Sequence, residues 1–169
     1  MGLAAPRPMR FEHLVQINDP LMPLLTEVSR AQLWRGLVLR AEDPAQFVVG
    51  LERATIDARR ELSGVKELER TLDYGSFRVR DRVRLTPDLR TEIRTAAGAS
   101  WPASRMTITI EEPSPNDLFL RFVYEAESEV LGEGGLDEVT VALRQQAYEG
   151  ADLDTVVRIR ALAEAGLLD

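Results

Sequence analysis

Two periods of hydrophobic residues divide this chain into strands and helices. Residues 11–17 alternate with a period of two, which predicts a strand with Phe11, His13, Val15 and Ile17 on one face. Residues 18–20 end this strand, because Asp19 favours a turn and the residue before a proline avoids helical backbone. Six more alternating segments follow, separated by turns rich in glycine, proline and aspartate. They predict strands near residues 53–61, 65–73, 77–86, 89–96, 106–111 and 118–125.

The segment of residues 77–86 alternates most regularly. Its arginines share one face, and the opposite face carries Phe77, Val79, Asp81, Val83 and Leu85. An arginine row suggests phosphate binding, but acidic residues on the neighbouring strands favour a salt-bridged outer face.

Helical spacing appears in two parts of the chain. Ser29 and Gln32 form a capping box, and hydrophobic residues then recur at helical spacing up to Ala41. A second short helix is expected to begin at Asp43-Pro44 and to end near Gly50. From Leu136 onward the chain is predicted to be helical. Residues 150–152 interrupt this pattern, and Asp152 can cap a restart, so the sequence leaves open a kink or two helices.

This order of elements predicts an α+β domain: one strand, two short helices, six strands and a long C-terminal helix. An antiparallel sheet with one apolar face must cover that face. A curved seven-stranded sheet closed by the last helix leaves space for a cavity. We expect a flexible leader over residues 1–9 and a single domain over residues 10–169.

Composition excludes several functions. The net charge of −7 argues against nucleic-acid binding, which needs concentrated positive charge. The chain has no cysteine and a single histidine, His13, so thiol chemistry and multi-histidine metal sites are excluded, and no cofactor is expected. No apolar run is long enough to span a bilayer. We expect a cytoplasmic protein.

Several segments carry a resemblance to a known family. They read FEHLVQIND, QLWRGLVLRAEDP with FVVGLER after it, MTITIEEP followed by LFLRFVYEA, and ADLDTVVRIR. Together they resemble the AtaL-like family over residues 11–162. This family is a branch of the START, birch-pollen-allergen-like and polyketide-cyclase (SRPBCC) superfamily. The resemblance implies a helix-grip fold with a ligand cavity, and it provides no catalytic motif.

Polar residues on the apolar faces of strands are the candidates for chemistry, because an unpaired buried charge is costly. Asp81 lies between Val79 and Val83. A tight turn at residues 74–75 places Arg70 opposite Val79, one diagonal neighbour from Asp81. An Arg70–Asp81 pair inside the cavity is therefore a hypothesis; its alternative is an ion pair at the open edge of the sheet with no ligand role.

His13 and Tyr124 also lie on apolar faces. His13 can act as a general acid or base, or can be a packed, hydrogen-bonded residue. The Tyr124 hydroxyl can orient a ligand, or can simply reach the rim of the core. The full set of predicted cavity residues is His13, Val15, Trp34, Arg70, Asp81, Val83, Ile108, Phe122 and Tyr124.

Three functions compete. The favoured one is a non-catalytic binder of a small hydrophobic or aromatic molecule, of lipid or polyketide kind. The second is a polyketide cyclase or aromatase-like enzyme, and the third is a protein-interaction module. An exposed edge strand also allows a homodimer.

Overall fold

The computed structural model describes residues 8–127 and 138–169, with side chains from residue 142 onward in the second range. A single sheet and two helices make up this part of the chain. The elements in chain order are β1 (Met9–Gln16), α1 (Arg30–Glu42), a 3-10 turn (Pro44–Gln46), β2 (Arg53–Leu62), β3 (Val65–Asp73), β4 (Arg78–Thr86), β5 (Arg90–Thr95), β6 (Ser104–Glu111), β7 (Phe119–Ala126) and α2 (Glu138–Glu164).

The seven strands form one antiparallel sheet in the order β1-β7-β6-β5-β4-β3-β2. Strands β2 to β7 are a meander, and β1 pairs with the last of them, so that His13 faces Phe122. Strand β2 is one edge. A bulge between Ile56 and Ala58 and several exposed arginines disfavour edge-to-edge pairing there, and the expected homodimer stays a prediction.

The hydrophobic core lies between one face of the sheet and the two helices. Strand residues at period two meet helix residues at helical spacing, as the sequence pattern predicts. The fully buried side chains include Leu33 and Leu37 of α1, Ile159 of α2, and Leu68, Val83, Ile108, Leu120 and Phe122 of the sheet. In the described residues, neither helix has the length and hydropathy that a membrane span requires.

Charged residues cover the outer face of the sheet, which confirms the prediction for the arginine row. Arg82 contacts Glu67 and Glu69, and Arg121 of β7 contacts Glu111 and Glu12 on its two neighbours. Within the row itself, Arg78 and Arg82 have described carboxylate partners, and the charges of these two arginines are offset without a phosphate.

Helix α1 begins as predicted. Ser29 accepts a hydrogen bond from the Gln32 amide, and the Gln32 side chain accepts one from the Ser29 amide. Gly36 lets α1 approach α2 closely, because a Cβ at this position would lie only 2.8 Å from the Ile159 side chain. The contact between the two helices therefore depends on the absence of a side chain.

The predicted second short helix is present but shorter than expected. A 3-10 helix follows α1 at Pro44–Gln46, with Asp43 at its N-cap position, but Asp43 makes no side-chain cap and the helix ends well before Gly50. Asp43 instead accepts a hydrogen bond from the Gln46 side chain at 2.7 Å. The buried Phe47 and the positive φ of Gly50 then lead the chain into β2.

The predicted register between β3 and β4, with Arg70 opposite Val79, is wrong. The two strands are joined by a four-residue loop, in which the Tyr74 amide donates to the Phe77 carbonyl at 3.0 Å. Gly75, with φ of +87°, allows this loop, and Phe77 lies outside the strand. As a result Arg70 lies directly opposite Asp81 rather than opposite Val79.

Helix α2 is continuous through Gly150, so the alternative of two helices is excluded. The expected role of Asp152 as a cap is wrong, since this residue lies inside α2. The predicted start at Leu136 and most of the predicted leader, residues 1–7, lie outside the described residues. Strand β1 already begins at Met9, two residues before the predicted start.

Candidate functional site

A cleft of about 660 Å³ lies between the concave face of the sheet and the two helices. We call it the central cleft. The sheet contributes Met9, Arg70, Leu72, Val79, Asp81, Ile93, Thr95, Ser104, Arg105, Met106, Tyr124, Glu125 and Ala126; the helices contribute Arg40, Arg144, Tyr148 and Ala151; the turns and loops contribute Pro44, Val48, Tyr74, Phe77, Trp101 and Pro102.

Arg70 and Asp81 form a buried ion pair at the floor of the central cleft. The guanidinium donates to both carboxylate oxygens, at 2.8 and 2.6 Å, and the side chains are only 2% and 1% exposed. A third donor of Arg70 reaches the carbonyl of Ala41 at 2.8 Å, in the last turn of α1. Because this carbonyl has no partner within the helix, Arg70 fastens the end of α1 to the sheet.

A second buried carboxylate, that of Asp152, holds two side chains of the sheet. The Tyr124 hydroxyl donates to one Asp152 oxygen, and Nδ1 of His13 lies 3.1 Å from the other. Asp152 is 1% exposed, so this cluster connects α2 to β1 and β7 through a carboxylate that is shielded from bulk solvent. The geometry is that of a carboxylate that orients an imidazole.

Burial governs the titration of this cluster. It raises the pKa of Asp152 above the usual range, although the hydrogen bonds from Tyr124 and His13 act in the opposite direction. Burial, followed by the nearby Asp152 charge, also raises the pKa of Tyr124 strongly. The phenol therefore stays protonated, donates to Asp152, and keeps its oxygen as an acceptor toward the cleft.

Aromatic rings border the central cleft on two sides. Tyr124 stacks on Tyr148 with ring centroids 4.2 Å apart. On the other side, Phe77 stacks on Tyr74 at 4.9 Å and lies 5.8 Å from Trp101. Rings facing an open space from two sides are the usual lining of a site for a flat apolar molecule.

The nine predicted site residues separate into three groups. Arg70, Asp81 and Tyr124 line the central cleft. His13 reaches it only through Asp152 and Tyr124. The remaining five are part of the packed core or lie against it: Val15, Trp34, Val83, Ile108 and Phe122. Contact of these residues with a ligand stays a prediction.

Sequence reasoning missed Arg40, Tyr148 and Asp152. Each belongs to a helix, whereas the polar residues predicted from sequence all lie on strands. No group of three or more potential metal ligands occurs in the described ranges. What the geometry offers is a space with a mainly apolar and aromatic lining that also contains four arginines and two carboxylates.

Solved structures with the same architecture include two aromatase/cyclases and one START superfamily protein. One is the di-domain aromatase/cyclase StfQ from the steffimycin biosynthetic pathway (TM-score 0.65, 11% identity, 94% of this chain), of which this chain spans about half the length, 52%. Another is the Zhui aromatase/cyclase from Streptomyces sp. R1128 (TM-score 0.59, 15% identity, 94% of each chain). A third is a START superfamily protein from Mycobacterium smegmatis (TM-score 0.61, 12% identity, 90% of this chain and 98% of that one). At these identities the likeness concerns the fold.

The sheet and the long C-terminal helix across it form a helix-grip fold, the fold of the START and aromatase/cyclase structures named above. The sequence profile of the AtaL family, described as acetylaranotin biosynthesis cluster protein L, matches residues 15–166, and the chain belongs to this family. No curated protein sequence matches it.

Proposed function

We propose that this protein binds a small hydrophobic or aromatic molecule in the central cleft. The observation that carries the proposal is the cleft itself, about 660 Å³ in volume and lined mainly by apolar and aromatic side chains. Sites for small molecules usually measure about 300–1,000 Å³ and combine such a lining with few polar groups. The volume of the central cleft lies within this range.

Two features of the lining support an aromatic ligand. The Tyr124–Tyr148 stack and the Phe77–Trp101 pair offer ring faces and edges on opposite sides of the space. Aromatic pairs add about 0.5–1.5 kcal/mol each beyond the burial of their area. The Tyr124 oxygen and the Arg40 side chain supply the polar contacts that orient a ligand.

A cleft-filling variant tests the proposal. Val79 lines the central cleft, so Val79→Phe places a ring in the space without removing a hydrogen bond. Leu14→Phe is the matched control, because Leu14 is exposed and does not line the cleft. Native mass spectrometry of the purified protein is expected to show a co-purifying small molecule in wild type and Leu14→Phe, and to show less of it in Val79→Phe.

A titration of the same variants with an added aromatic probe makes this test of cleft binding quantitative. Binding of 2-naphthamide, measured by titration calorimetry, is expected to weaken about tenfold or more in Val79→Phe and by less than twofold in Leu14→Phe. Equal affinities for both variants would contradict binding in the cleft, provided that both variants melt at the wild-type temperature.

A cyclase or aromatase-like enzyme is the second candidate, and one observation favours it. The hydrogen-bonded series Tyr124–Asp152–His13 leads from the cleft to an imidazole 21% exposed, which is an arrangement that can move a proton. Tyr124→Phe and His13→Ala are expected to abolish turnover of a polyketide-like substrate while leaving its binding within about threefold. Unchanged turnover in both variants would refute a catalytic role for the series.

A further inference from the structure

The Arg40 guanidinium is half-buried at the central cleft and is not neutralised by any described carboxylate. Its one described hydrogen bond is that from Nε to the Thr155 hydroxyl, at 3.4 Å. A guanidinium has five N–H donors, so the four on its two terminal nitrogens remain without a described protein acceptor. No carboxylate of the described residues lies within 4.0 Å of it, whereas Arg70, beside it in the cleft, is fully paired.

The terminal nitrogens of Arg40 are not fully buried. Among the described residues, no fully buried polar side-chain atom lacks a hydrogen-bond partner. Because the terminal nitrogens have no described partner, they are not enclosed by protein, and the open space that Arg40 lines is the central cleft. Burial nevertheless lowers the pKa of Arg40, which means that water solvates this cation poorly.

The charge of the lining has the opposite sign to that of the chain. Four arginines and two carboxylates line the cleft, a formal excess of two positive charges, in a protein whose net charge is −7. Two of the arginines are paired within the lining, Arg70 with Asp81 and Arg105 with Glu125. The excess therefore lies on Arg40 and on Arg144, whose described contact is the Met9 sulfur.

Arg40 is also the arginine that lies beside the polar cluster. Its charge interacts with Tyr124 and Asp152, and Thr155 fixes its Nε. A ligand whose apolar body lies between the two aromatic borders would bring its polar end to this point. Asp152 offsets part of the positive charge through space, but its oxygens are already used by Tyr124 and His13.

We propose that the ligand of the central cleft carries an anionic oxygen, as a carboxylate or an acidic phenol or enol, and that the terminal nitrogens of Arg40 bind it. This inference rests on the proposed function and names the chemical class of its ligand. A planar guanidinium with free donors binds two oxygens side by side, and a charge-assisted hydrogen bond is about twice as strong as a neutral one.

Two nearly isosteric probes test the inference by titration calorimetry. 2-Naphthoate and 2-naphthamide share one ring system and differ mainly in the negative charge. Wild type is expected to prefer naphthoate. Arg40→Gln is expected to raise the Kd of naphthoate about tenfold, which corresponds to about 1.4 kcal/mol, and to change that of naphthamide by less than twofold. Arg40→Lys keeps the charge and is expected to retain most of the preference.

Arg90→Gln is the matched control, because Arg90 is an exposed arginine of β5 that does not line the cleft. If naphthoate and naphthamide bind wild type equally and neither Arg40→Gln nor Arg40→Lys changes either Kd, the anion site is refuted and cleft binding stands. If Val79→Phe changes neither Kd, or if neither probe binds wild type, the proposed function itself is refuted.

Discussion

The buried Arg70–Asp81 pair allows a double-mutant cycle whose outcome can be predicted from the structure. Asp81→Val removes the carboxylate and leaves a guanidinium beside Arg40 with no anion to neutralise it. Arg70→Met removes the cation, leaves the Asp81 carboxylate buried, and frees the Ala41 carbonyl. The double variant Arg70→Met/Asp81→Val removes both charges and frees only that carbonyl.

The magnitudes follow from these contacts. Breaking a buried ion pair by removing one partner usually costs about 3–5 kcal/mol, since it leaves an uncompensated charge. We expect each single variant to lose that much of the free energy of unfolding. Replacing both partners by apolar residues is often close to neutral, but an unpaired buried carbonyl costs about 1–3 kcal/mol. The double variant is therefore expected to lose only about 1–3 kcal/mol.

Urea denaturation followed by far-UV circular dichroism measures all four proteins. A domain of this size is stable by about 5–15 kcal/mol, so the single variants should still show a folded baseline. The expected coupling is large, with the double variant more stable than either single one. Single losses below about 1 kcal/mol, or losses that simply add in the double variant, would refute the view that charge burial dominates at this site.

Two other predictions concern packing and pH. Gly36→Ala is expected to destabilise the protein by about 1–3 kcal/mol because the new Cβ meets Ile159. Gly150→Ala, with open space around it in α2, is expected to stabilise the protein by about 0.5–1 kcal/mol. Equal effects of the two variants in urea denaturation would contradict the close approach of the helices. Because burial raises the pKa of Asp152 above 3.8, its contribution to stability is fully present below pH 3.8 and is lost as the pH rises through the raised value. Relative to Asp152→Asn, wild type is therefore expected to lose stability as the pH rises above about 4, and a stability difference that does not change with pH in urea titrations would contradict that sign.

The strands could be predicted because one face of the sheet is buried and the other is charged. In β4 every second residue is an exposed arginine, and Val83 between them is fully buried. The same alternation places Asp81 on the inner face of the sheet. A buried carboxylate is costly there unless a cation pairs with it. The Arg70–Asp81 pair was predicted on this ground, and the structure confirms the pair while correcting its register.

Turns and helix ends could not be predicted as well. The loop before β4 depends on the stacking of Tyr74 on Phe77 and on one backbone hydrogen bond, and a two-residue turn has almost the same local sequence requirements. The segment after Asp43 has the composition of a helix start, but the burial of Phe47 and the positive φ of Gly50 end the helical backbone after one turn. Tertiary contact outweighed local propensity only at the second place, where Phe47 is buried in the core.

The polar end of the cleft was missed because its residues come from helices, yet the rule that identified Asp81 also applies to them. In α2, Asp152 and Thr155 occupy the same stripe as Val156, Ile159 and Leu162, and all are buried. In α1, Arg40 follows Leu33, Gly36 and Leu37 by seven, four and three residues. At this helical spacing it lies on the same stripe as these buried residues. A charge on the apolar stripe of a helix needs a partner for the same reason as a charge on the apolar face of a strand. Asp152 finds its partners 139 residues away in His13 and on β7 in Tyr124. Arg40 finds none among the described carboxylates, which is why its partner is expected to be the ligand.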